Sequence, residues 1–157
     1  MIEFLGSYST NGLDTENFAD RNYLLHNYEI QPKLNFLYSK DNRFSVFYHF
    51  KKKENTILNL ERLNQQKFGI EYFYLGQKNE QVSAIINYYL NDFSGNTNSP
   101  VAYQMLEGLQ AGRNFTWNLL FNKKLNSFLN LNLNYFGRKS ENVRAIHSGT
   151  IQLRADF

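Results

Sequence analysis

The residues able to do chemistry are few and scattered. The chain has three histidines and no cysteine. His26, His49 and His147 fall on different predicted strands, and none has a ligand-type residue two or four positions away. A metal centre would therefore need carboxylates brought in from elsewhere. The plainer reading is three polar wall or interface residues, with no metal, cofactor or catalytic residue. His147 precedes Ser148, and a serine nucleophile needs a base within hydrogen-bond reach. Neighbouring residues of a strand point to opposite faces, so this pair cannot act together. A serine from another strand would be required. Asn114-Phe115-Thr116 matches a glycosylation acceptor by chance on a predicted strand, and no glycine-rich phosphate loop is present.

The charged residues form two groups. Lys51, Lys52 and Lys53 in "FKKKEN", with Arg113, Arg138, Lys139 and Arg144, fall in or near predicted loops, where the favoured reading is a solvated surface and the alternative is contact with the anionic phosphates of lipopolysaccharide. Glu29, Lys33, Lys67, Glu71 and Arg154 occupy the polar positions of predicted strands. On one face they are expected to pair, because an unpaired buried charge is costly. A net charge of +3 is too small to argue for nucleic acid.

The elements that position these residues are strands. In "NYEIQPKLNFLYS", Tyr28, Ile30, Pro32, Leu34, Phe36 and Tyr38 alternate with Glu29, Gln31, Lys33 and Asn35. Side chains alternate across a strand, so the segment has one apolar and one polar face. The pattern recurs at Phe44–Phe50, Phe68–Tyr74, Val82–Leu90, Phe115–Phe121, Leu129–Tyr135 and Gly149–Phe157, with a weaker copy in "IEFLGSYS". That predicts about eight antiparallel strands in a single domain, 1–157. "SKDNR", "GQKNE" and "NKKLNS" suit tight turns. Longer connections are expected at about 10–22, 52–65, 91–112 and 138–144. Within "NTILNLERLNQQ", Ile57, Leu60 and Leu63 are spaced for a short helix, but extension of the two flanking strands is slightly preferred.

Aromatic residues make up 17% of the chain, yet its mean hydropathy is negative. Disorder is disfavoured by that aromatic content, and no run approaches the roughly 18 apolar residues of a spanning helix. Alternation alone fits a β-sandwich or a lipocalin-like binder. Three features favour a transmembrane barrel instead. The polar faces are rich in amides able to bond one another. The strands reach the roughly 9–11 residues that cross a bilayer at a tilt. Tyr38, Phe44, Tyr72, Tyr74, Tyr88, Tyr89, Trp117 and Tyr135 lie near strand ends, as in an interfacial girdle. Short turns and long connections also alternate, as they do in such barrels.

The ending "HSGTIQLRADF" resembles the last strand of bacterial outer-membrane β-barrels, in which a terminal Phe and alternating apolar residues are read by the barrel-assembly machinery. Phe157, Leu153 and Ile151 match; Ala155 is smaller than usual, and Gln152 stands where Gly is common. The last third, with "GLQAGRNFTWN", "LNLNYFGRKS" and "IHSGTIQLRADF", resembles the C-terminal end of large Bacteroidota-type outer-membrane proteins. The resemblance implies an antiparallel up-and-down transmembrane barrel of about eight strands, or the C-terminal strands of a larger one in a longer chain. It implies a Gram-negative outer-membrane location with a periplasmic C-terminus. The implied role is a non-enzymatic wall for transport, secretion or surface binding. The implied partners are outer-membrane lipid, the assembly machinery and the rest of a larger barrel. A lipid-modifying enzyme and a soluble binder are the alternatives.

Overall fold

The computed structural model describes residues 1–16, 22–57, 61–77 and 79–155. Eight strands follow one another: β1 (Ile2–Leu13), β2 (Tyr23–Ser39), β3 (Asn42–Asn55), β4 (Arg62–Gly76), β5 (Glu80–Ser94), β6 (Gly112–Lys124), β7 (Leu129–Ser140) and β8 (Ile146–Ala155). One helix, α1 (Pro100–Leu106), interrupts the β5–β6 connection. Each strand pairs antiparallel with the next, giving a single sheet in the order β1 to β8.

The local chemistry accounts for the turns. Between β3 and β4, Leu60 of the helix-spaced set lies outside the described residues, while the strands themselves extend to Asn55 and from Arg62. Lys40 and Asp41 are the two residues that link β2 to β3. Asn79, just before β5, takes a φ of 56°, a left-handed conformation asparagine tolerates. In the β6–β7 turn, the Asn126 side chain accepts from the Phe128 N–H at 3.0 Å, an Asx-type turn.

All four long connections lie at one end of the sheet and are shorter than expected: 14–22, 56–61, 95–111 and 141–145. The strands continue past the end of their apolar alternation. Polar residues such as Lys52, Asn64 and Asn91 keep pairing because the ladder joins backbone groups, whatever the side chain.

Register sorts the residues onto two faces. One row crosses the whole sheet as Ile2, Leu34, Val46, Ile70, Ile86, Trp117, Gly137 and His147. This apolar face is the open one: Phe36 is 55% exposed and Leu153 60%. Ile86 is exposed and Leu131 half-buried, and these residues do not gather around a shared centre. On the opposite, amide face, Ser45 is 0% exposed, Gln65 2% and Asn114 2%.

Of the two expectations, an eight-strand ring or the strands of a larger one, the described residues do not form the closed ring. Among the described residues no ladder joins β8 to β1, so the sheet is open. An eight-strand ring encloses only enough space for its own side chains. Here α1 and its flanking chain lie against the amide face. Phe157 lies outside the described residues, while Ile151 and Leu153 occupy the apolar face of β8.

Candidate functional site

The long connection expected at 91–112 contains a helix that the sequence reading does not include, α1. Ser99 caps the helix, its Oγ accepting from the Ala102 N–H at 3.0 Å, and Pro100 follows in the first turn. Val101, Ala102, Met105 and Leu106 form the buried stripe. Three of them pack with Leu25 and Leu63, flanked by Tyr23 and Phe93, into the apolar cluster at the long-connection end of the amide face. "SPVAYQML" carries the signal that could have found this helix: a cap, a proline and apolar residues four apart.

Glu107 ends the helix at φ 56°, ψ 38°, and Gly108 follows at φ 76°. The left-handed conformation costs an L-residue roughly 1–2 kcal/mol. The contacts of the Glu107 carboxylate offset that strain. Its Oε1 accepts from Lys51 Nζ at 2.9 Å and Lys53 Nζ at 2.7 Å. Lys53 also donates to the Met105 carbonyl at 2.9 Å, reaching one of the last carbonyls of α1. Burial alone would raise the Glu107 pKa. The hydrogen bonds from Lys53 and Lys51, and the charges behind them, outweigh it and hold the carboxyl at about 2.

Further hydrogen bonds to backbone groups extend this attachment along the strap, residues 99–111. Arg138 Nη1 donates to the Gly108 carbonyl at 2.9 Å. The Gln110 carbonyl accepts from Asn91 at 2.9 Å and Asn114 at 2.7 Å, while Gln110 N–H donates to Asn114 Oδ1 at 3.1 Å. Ser140 Oγ and Gln65 Nε2 then hold Asn114 and Asn91 in place. Beside Glu107 opens a cleft of about 330 Å³, bordered by Asn87, Tyr89, Thr116, Asn118, Phe136 and Arg138.

Of the five residues expected to share a charge network, the structure pairs two with each other and gives the others different partners. Lys33 pairs with Glu71. Glu29 meets His49 at 3.1 Å and Lys51 at 3.3 Å. Lys67 lies 5.1 Å from the Phe47 ring centre and 5.9 Å from that of Tyr89. Arg154 is remote from these, on β8, where it borders a polar groove with Lys123, Lys124 and Asn132 at the short-turn end.

The expected cationic loop set is divided by the strand period. Lys51, Lys52 and Lys53 belong to β3, not to a loop. Lys51 and Lys53 turn to the amide face and are nearly buried against Glu107. Lys52 turns to the other face and pairs with Glu54 at 2.9 Å. Arg138 also points to the amide face, under the strap. Arg113, near the start of β6, and Lys139 and Arg144, near the β7–β8 connection, are exposed, so these three and Lys52 are the members of the set left off the amide face.

The histidines stay apart. Tyr8 Oη lies 2.6 Å from His26 Nδ1, and Tyr135 Oη lies 2.8 Å from His147 Nδ1, both on the apolar face. Ser148 is on the amide face, across the sheet from His147. Among the described residues no group of three His, Asp or Glu side chains converges as a metal site. No family model, curated protein or solved structure matches this chain.

Proposed function

We propose that this chain is a stretch of outer-membrane β-barrel wall, with its apolar face against lipid and its amide face toward a polar interior. The observation that carries the reading is the inverted burial of the two faces. Rows of Phe, Ile and Leu are exposed while Ser45, Gln65, Asn91 and Asn114 are covered. In water, such a contiguous apolar surface is a liability. In hydrocarbon it is the favourable arrangement, since a strand barrel satisfies every backbone group between strands. Strands of 10 to 17 residues are long enough to cross.

The open sheet and the docked helix favour a ring wider than eight strands, in which these strands join others at the β1 and β8 edges. The resemblance of the last third to large Bacteroidota-type outer-membrane proteins points the same way. The role is non-enzymatic, supporting transport, secretion or surface binding. Outer-membrane lipid and the barrel-assembly machinery are the partners, and the C-terminus is periplasmic.

Trp117 is the only tryptophan and lies mid-strand on the apolar face, not near a strand end as the girdle expectation has it. The test refolds the full chain with lipid vesicles brominated along their acyl chains. Strong quenching of Trp117 is expected. A chain that is monomeric without detergent, with unquenched Trp117, would overturn the reading.

A further inference from the structure

The strap is held by an ion pair whose carboxylate belongs to the chain. Lys51 and Lys53, nearly buried on β3, aim their ammonium groups at one oxygen of Glu107. The other charged and titratable groups around this point are Glu29 on β2, His49 on β3, Lys67 on β4, Tyr89 on β5 and Arg138 on β7. Glu29 offsets part of the Lys51 charge. Lys67 is held over rings, and among the described residues Arg138 donates to a neutral carbonyl. Without Glu107, positive charge would dominate this part of the amide face. Buried cations without an anion are costly, so the position demands a carboxylate or its equivalent.

We propose that Lys51 and Lys53 form an anion-binding site, that Glu107 fills it in the resting protein, and that soluble molecules carrying a carboxylate or phosphate take its place. The 330 Å³ cleft alongside has room for the remainder of a small molecule, and its border of Asn87, Tyr89, Thr116, Asn118 and Arg138 offers hydrogen-bonding groups. Displacing Glu107 releases the strained end of α1 and loosens the strap. Ligand and strap therefore compete for the same lysines. The site rests on the amide-face geometry alone and does not depend on the lipid reading.

Amide hydrogen exchange of residues 99–111 tests the competition in the unaltered, folded chain. Succinate or inorganic phosphate is expected to speed exchange there more than chloride at equal ionic strength. Equal effects of all three salts would reduce the observation to charge screening and overturn the proposal. In Glu107→Gln, acylation of Lys51 and Lys53 is expected to rise about tenfold, the loss of a charge-assisted hydrogen bond, and to fall again when either anion is added. Lysines that stay shielded in the variant, or that neither anion protects, would also overturn it. The more protective of the two anions identifies the ligand class.

Discussion

The ring of Phe47 lies over the α-carbon of Gly69, its register partner across the β3–β4 ladder, and fills the space that a Cβ would need. Lys33 and Lys67 both stack on that ring, at 5.8 and 5.1 Å from its centre. One glycine therefore sets the position of an aromatic residue and, through it, of two charges. Gly69→Ala is expected to expel the ring and destabilise the fold by about 1–3 kcal/mol, the usual range for overpacking. Denaturant midpoints in detergent micelles check it. Phe47→Ala in the Gly69→Ala background should relieve much of that cost.

A parallel arrangement occurs on the other face, where the Trp117 indole covers Gly137. His147 packs against the same indole, 5.4 Å between ring centres. Gly137→Ala is expected to displace the indole and change both the emission maximum of Trp117 and its quenching by brominated lipid. Unchanged fluorescence would mean that the ring does not rest there.

Glu107 makes attachment of the strap pH-dependent. Its carboxyl is held at about 2 when docked, against an ordinary value of 4.5. A depressed carboxylate stabilises the docked state fully above its ordinary pKa and progressively less as pH falls toward the docked value. Hydrogen exchange of residues 101–109, corrected for intrinsic rate, should therefore accelerate between about pH 4.5 and pH 2. Glu107→Gln should abolish that transition.

Lys33 and Glu71 form a partly buried pair on the amide face. Removing one member leaves the other charge without its partner. Lys33→Met is expected to cost about 3–5 kcal/mol if the face is dry, and less if water reaches it. Lys33→Met combined with Glu71→Leu should recover most of that loss. A double-mutant cycle measured by unfolding gives the coupling, and its size reports how wet this face is.

How much was legible in the sequence depended on the range of the interactions. The faces of β2 were readable because alternation is written into neighbouring residues: Ile30, Leu34 and Phe36 share a side whatever the strand pairs with. Turn positions were readable for the same local reason, and so was the place of Lys33 and Glu71 on one polar face, though not that they pair with each other. The strand ends were less so. Extension of β3 and β4 is the reading preferred within 52–65, and Lys52 and Asn64 do pair there, but Asn91 pairs with Gln65 through its backbone where the apolar pattern has already ended.

The amino-acid order by itself determined eight antiparallel strands, their two chemically opposite faces and the alternation of short turns with long connections. Side-chain period and turn chemistry act within a few residues, so no tertiary information was needed. Only the tertiary structure decided that the amide face is the covered one, that the sheet stays open, and that α1 folds back upon it. It also divided the lysine run, burying Lys51 and Lys53 under Glu107 while Lys52 faces outward. Those contacts join residues more than fifty positions apart. Coulomb attraction and burial select such partners only after the strands have brought them within a few ångströms.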